Sequence, residues 1–169
     1  MKGLPMLCTA IAAAMLASSC VGVPAKRVGT VVYQAADGFL DATLSEVSVS
    51  ATLSQDDIER VAREVFPLAA KRAGMPLADG AGRAEYEVWL REDEYTLGID
   101  TYSAVLCVVK LRSKPDGALI AAAILSDETK LSLRSSGYVY RLLREALSSL
   151  RGALSASGKM AKPAKAPAK

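Results

Sequence analysis

Histidine is absent from this 169-residue chain, tryptophan occurs once, phenylalanine twice and cysteine three times. Without imidazole the chain lacks the usual general base and the commonest metal ligand. No Gly-x-Ser-x-Gly elbow, phosphate-binding glycine loop or metal-ligand cluster stands in for it. A hydrolase built on carboxylates alone needs no recognisable spacing, but nothing selects such a pair. The expectation is a protein that is not an enzyme, with no catalytic residue, cofactor or metal. Glu92-Asp93-Glu94 does not alter it. Three consecutive carboxylates in an extended chain do not converge on one ion, and the spaced ligands and glycine of a calcium loop are missing.

Charge is also missing from particular places. None occurs between Lys2 and Lys26, and the stretch after Gly158 carries Lys159, Lys162, Lys165 and Lys169 with no acidic residue. The formal net charge of +3 therefore sits at the ends. From Cys20 to Gly158 there are 16 basic and 18 acidic residues, a net of −2. No basic stripe interleaved with aromatics appears there, so nucleic acid is not an expected partner.

The uncharged start has a pattern of its own. Lys2 precedes an apolar run from Leu4 to Leu16, interrupted mainly by Thr9, and Ala17, Ser18 and Ser19 are small. These are the parts of a secretory signal. The run falls short of the roughly 18 apolar residues that a stable membrane span needs, and no basic stop-transfer cluster follows Cys20 directly. Leu16-Ala17-Ser18-Ser19-Cys20 resembles the lipobox of bacterial lipoproteins, in which an aliphatic and two small residues precede an acylated cysteine. Leu16 stands one place before that family's commonest leucine, with Ala17 in its position. The resemblance implies a signal peptide at 1–19, lipidation of Cys20 and a tether at 20–26. It further implies a lipid anchor to a bacterial membrane in the cell envelope, with the periplasmic side of the outer membrane favoured over the inner membrane and both left open. Soluble secretion and an uncleaved anchor are the alternatives. On this reading Cys8 leaves with the signal and Cys107 stands alone. No intrachain disulfide is then available, and a packed core must hold the domain.

Downstream, local periodicity defines the elements. Val28, Thr30 and Val32 alternate with Val31 and Tyr33, predicting a strand over 27–33. A second strand follows over 44–51, with Val47, Val49 and Ala51 on its buried face. Ser54 and Asp57 form an aspartate version of a capping box, with Leu53 and Ile58 as a hydrophobic staple. The helix they open has a stripe of Ile58, Val61, Ala62, Val65 and Ala69, and should be bent or divided at Pro67 and ended by Gly74 and Pro76. Ala84, Tyr86, Val88 and Leu90 alternate with Glu85, Glu87, Trp89 and Arg91 in a third strand, with a turn expected at 92–94. Trp89 thus falls on the charged face, either packing over its neighbours or meeting a partner.

Tyr102 to Arg112 is apolar on both faces, as in a central strand covered on each side or paired at an oligomer interface. Cys107 belongs inside it, behaving as a small apolar residue. Ser113-Lys114-Pro115-Asp116-Gly117 is a turn signal that joins it to a strand over 118–125. Residues 126–134 fit either more strand or a loop. A second helix from Ser136 carries Tyr138 or Val139, Leu142, Leu143, Ala146, Leu147 and Leu150, with Arg141, Arg144 and Arg151 on its exposed side. The lysine-rich segment from Ser155 to Lys169 cannot bury enough surface to fold.

The order ββαβββα predicts one α+β domain over 27–154: a mainly antiparallel sheet of about five strands with two helices on one face. That order looks like several small envelope lipoproteins, among them auxiliary lipoproteins of lipid-transporting ABC systems and the lipopolysaccharide-assembly lipoprotein. The implied function is a non-enzymatic binding, assembly or accessory component of an envelope complex. The implied partners are the membrane, through the lipid, and an envelope protein that meets Trp89 or an exposed edge strand. The alternative is a carrier of lipid or another hydrophobic ligand, enclosed between the sheet and a Pro67-bent helix.

Overall fold

The computed structural model describes residues 26–33, 41–51, 54–75, 77–80 and 82–157. The signal segment, Cys20, Leu53 and the lysines after Gly158 lie outside them. Along the chain come β1 (Arg27–Val32), β2 (Ala42–Ala51), α1 (Gln55–Ala73), β3 (Ala84–Leu97), β4 (Asp100–Ser113), β5 (Leu119–Thr129) and α2 (Ser136–Ala156). The order is ββαβββα and the class is α+β.

Five strands form one sheet in the order β1-β5-β4-β3-β2. The pairs β1–β5, β5–β4 and β4–β3 are antiparallel, and β2–β3 is parallel. The parallel pair follows from connectivity, because a strand–helix–strand passage returns the chain to the same end of the sheet. Both helices cover one face. Their inward residues include Phe66, Ile58 and Ala69 of α1 and Leu142, Leu143, Leu147 and Leu150 of α2. These meet Tyr86, Leu90, Cys107, Val109, Leu111 and Leu125 of the sheet in one fully buried cluster. Phe66 and Tyr86 stack at a tilt, with ring centroids 5.4 Å apart. Burying each such aliphatic side chain is worth about 1.5–3 kcal/mol.

The buried face of β2 changes phase. Ala42 and Leu44 point inward at even positions, then Val47, Val49 and Ala51 at odd ones. A bulge between Leu44 and Glu46 absorbs the extra residue, Ser45, whose hydroxyl donates to the Tyr86 carbonyl at 3.0 Å.

Four sequence expectations are corrected. Ser54 does occupy the cap of α1, but in the left-handed region at φ 60°, and its side chain makes no capping bond. Its carbonyl takes the Ile58 amide instead, and Gln55 Nε2 reaches back to the Ala51 carbonyl. Asp57 pairs with Arg60 rather than with the cap. Pro67 does not divide α1, which runs unbroken through it; Pro67 is exposed, and the buried residues Phe66, Ala69, Ala70 and Ala73 on either side hold the helix together. Phe66, absent from the predicted stripe, is at its centre. Finally, 92–94 is not a turn. The strand continues to Leu97 because its acidic residues alternate in direction: Glu92 turns inward to accept from Leu133 N and Ser132 Oγ, both at 3.2 Å, while Asp93 turns outward to Arg91.

Other boundaries match. Gly74 ends α1 at φ 73°, with its amide on Lys71 O and the Met75 amide on Ala70 O, a Schellman closure. Ser135 caps α2 by accepting from Tyr138 N. In the turn after β4, Asp116 accepts from Ala118 N at 3.2 Å and Gly117 takes φ 65°.

Candidate functional site

The helices leave the second face of the sheet bare. One row of paired residues crosses all five strands on this face: Gly29, Ile124, Val108, Trp89 and Ser48. Val31 and Ile124 are 47% and 46% exposed, and Leu106, Val108 and Trp89 are half-buried. Charges border this apolar strip. Glu87 is paired with Arg112 at 2.7 Å and lies 3.7 Å from Lys110, and Arg91 holds Asp93 at 2.8 Å. Trp89 is therefore on the charged face by strand position, yet lies in line with Val108 and Ile124. The apolar second face of β4, unexplained by the helices, belongs to this strip.

Beside Trp89 is a shallow recess of about 120 Å³, lined by Glu46, Ser48, Glu87 and Lys110. Small-ligand sites usually enclose about 300–1,000 Å³, so this surface suits a macromolecular contact better than capture of a small molecule.

A second exposed feature is the β3–β4 hairpin. β2 ends its pairing at Ala51 opposite Glu92, and β5 ends its pairing at Thr129 opposite Ser103. Beyond those rows no strand flanks the hairpin among the described residues. At its tip Leu97 is 70% exposed and Ile99 fully exposed, with Gly98 between them at φ 65°. One step behind, Tyr95 and Tyr102 stack with centroids 5.8 Å apart, and Lys130 lies 5.3 Å over the Tyr102 ring while pairing with Asp100 at 2.8 Å. The sequence reading missed this tip because it placed the turn five residues too early. The signal was available in Leu97-Gly98-Ile99, a glycine flanked by apolar residues between two tyrosines.

The remaining singled-out residues separate. Cys107 is fully buried, and burial pushes its thiol from 9.0 up to about 12, so it is held as a neutral core group. Arg141 and Arg144 lie over the rings of Tyr138 and Tyr140, and Arg151 reaches the end of α1. No group of three or more acidic or cysteine side chains able to hold a metal occurs among the described residues. No helix among them is long and apolar enough to cross a membrane.

This arrangement of sheet and helices is known from solved structures. The fold resembles that of PelC. A dodecamer of PelC from Paraburkholderia phytofirmans superposes with a TM-score of 0.53 at 17% identity, covering 73% of this chain and 96% of that one. A variant PelC dodecamer from the same organism gives 0.53 at 19% identity over 73% and 95%. Lipoprotein GNA1162 from Neisseria meningitidis overlaps with a TM-score of 0.39 at 12% identity, over 69% of this chain and 99% of that one. At these identities the PelC likeness establishes a shared fold. No protein-family model matches the chain, and no curated protein matches it in sequence.

Proposed function

We propose that this chain is a lipid-anchored cell-envelope protein, without enzymatic activity, that binds or braces a neighbouring envelope component through the bare sheet face around Trp89. The observation that carries the reading is the row Ile124, Val108 and Trp89, an apolar strip that neither helix covers, on a sheet whose other face packs against both helices. The lipobox-like segment ending at Cys20 supports an anchored location in the envelope, and the periplasmic side of the outer membrane is the site proposed. An anchor concentrates the domain at one surface, so a weak contact there becomes effective.

A second reading concerns the occupant of the face. PelC was solved as a dodecamer, which favours another copy of this chain as the partner. The carrier alternative is less well supported, because the space it requires between sheet and helices is filled by Phe66, Tyr86, Leu90, Leu142 and Leu147.

Crosslinking in intact cells, followed by identification of what is attached, tests the reading. Trp89→Ala should weaken capture of the neighbour, another envelope protein or a second copy, without lowering the melting temperature. Unchanged capture, or a large loss of stability, sinks the assignment of this face. Processing tests the location separately: Cys20→Ser should release the protein from the membrane fraction.

A further inference from the structure

We propose that the tip of the β3–β4 hairpin, Leu97 and Ile99, is a second membrane contact that dips into the leaflet holding the acyl chains. The inference rests on the anchor reading of Cys20 and adds an orientation to it.

The register supplies the argument. Arg27, at the start of β1, pairs with Ser126, which pairs with Leu106, which pairs with Arg91. β1 runs in the same sense as β4, away from the hairpin tip, so Arg27 is its end nearest the tip's pole. From the Arg91 row to Leu97 the hairpin advances six residues, about 20 Å along the strand. From Cys20 to Lys26 is also six residues, which span at most about 20–22 Å. An anchored Cys20 can therefore lie level with the tip. The opposite pole holds Gly74, the turn after β4 and the end of α2.

The chemistry of the tip is ordered as an interface requires. Leu97 and Ile99 lead, with the Asp100 carboxylate opposite Leu97 neutralised by Lys130, and the stacked Tyr95 and Tyr102 follow at the depth where tyrosine is enriched. The other charges nearby are Asp93, Glu94 and Glu128, of which Arg91 offsets one. The contact is thus apolar, and it suits a zwitterionic surface rather than a strongly anionic one.

The test uses the full lipidated protein in phosphatidylcholine vesicles. Cys107 is buried, so a thiol introduced by Ile99→Cys can be labelled alone with an environment-sensitive fluorophore; Lys114→Cys, in the turn at the other pole, is the control. The label at 99 should emit further to the blue than that at 114 and be quenched severalfold more by nitroxide-bearing lipids, and Leu97→Asp should abolish the difference. Equal emission and quenching at both sites in acylated, vesicle-bound protein overturns the hairpin contact and leaves the anchor standing. A blue shift without lipid quenching means a protein neighbour and also overturns it, as does a shift seen only with anionic lipid. Protein that carries no acyl group by mass and stays off the vesicles overturns both readings.

Discussion

Arg151 donates through Nη1 to the carbonyl oxygen of Ala73 at 3.3 Å, so α2 satisfies an open carbonyl at the end of α1. The guanidinium occupies the space beside Gly74, where an added Cβ would approach it to 2.1 Å. Gly74 is thus doubly constrained, by its φ of 73° and by its neighbour. Gly74→Ala should cost about 2–3 kcal/mol, the left-handed penalty of about 1–2 kcal/mol plus a displaced hydrogen bond of about 1 kcal/mol. In an Arg151→Ala background the same change should cost about 1–2 kcal/mol. Urea unfolding of the four proteins measures this coupling; strictly additive costs would show that the two residues act separately.

Glu92 is the buried acid that ties the loop before α2 to the sheet, accepting from Leu133 N and Ser132 Oγ. Glu92→Ala strands the Leu133 amide and should destabilise by about 1–3 kcal/mol. Glu92→Gln keeps an acceptor and should cost less. The order of the two denaturation midpoints decides it, and equal midpoints would contradict the role given to the carboxylate.

Tyr138 hydroxyl donates to Asp127 Oδ2 at 3.0 Å, joining the first turn of α2 to the inner face of β5. Tyr138→Phe keeps the ring and removes the bond, at a cost of about 1.5–3 kcal/mol for a partner that is charged. Calorimetric melting near neutral pH should show the loss, and an unchanged midpoint would contradict the contribution of this bond.

Alkaline solution should weaken the domain for a reason that can be traced. Burial raises the thiol of Cys107 to about 12 and pushes the phenol of Tyr86 well above its usual range. Tyr138 is raised by burial and then by the charge of Asp127. All three are neutral when protonated, and the unfolded chain gives up their protons at lower pH than the folded one. Stability is therefore complete below about pH 9 and falls as the pH rises from there toward the folded values. Cys107→Ala should flatten the part of the fall between about pH 9 and 12. The native thiol should also resist iodoacetamide at pH 8 until denaturant is added; rapid modification of folded protein would contradict its burial.

Much of this architecture could be read locally. The alternation around Tyr86, Val88 and Leu90, the helical spacing from Tyr138 to Leu150, and the turn at Asp116-Gly117 each specify an element without help from distant residues. Failures came where a local signal competes with a tertiary one. Pro67 usually divides a helix, and here the packing of Phe66 and Ala69 outweighs it. Three acidic residues usually mark a turn, and here Glu92 finds two donors from a loop some forty residues away. The phase change across Ser45 in β2 was present as Leu44 followed by Val47, but the bulge it implies becomes evident only against the register of β3.

The sequence by itself determined the kind and order of the elements and the inward face of most of β3 and α2. Those properties depend on neighbours within a few residues. Tertiary structure alone decided that β5 separates β1 from β4 and that β2 and β3 run parallel. It also decided that Trp89 shares a row with Val108 and Ile124, and that Leu97 and Ile99 project from the pole toward which the start of β1 points. A strand's alternation states which side is apolar but carries no record of which strand lies beside it, so position across the sheet arises from pairing between distant parts of the chain.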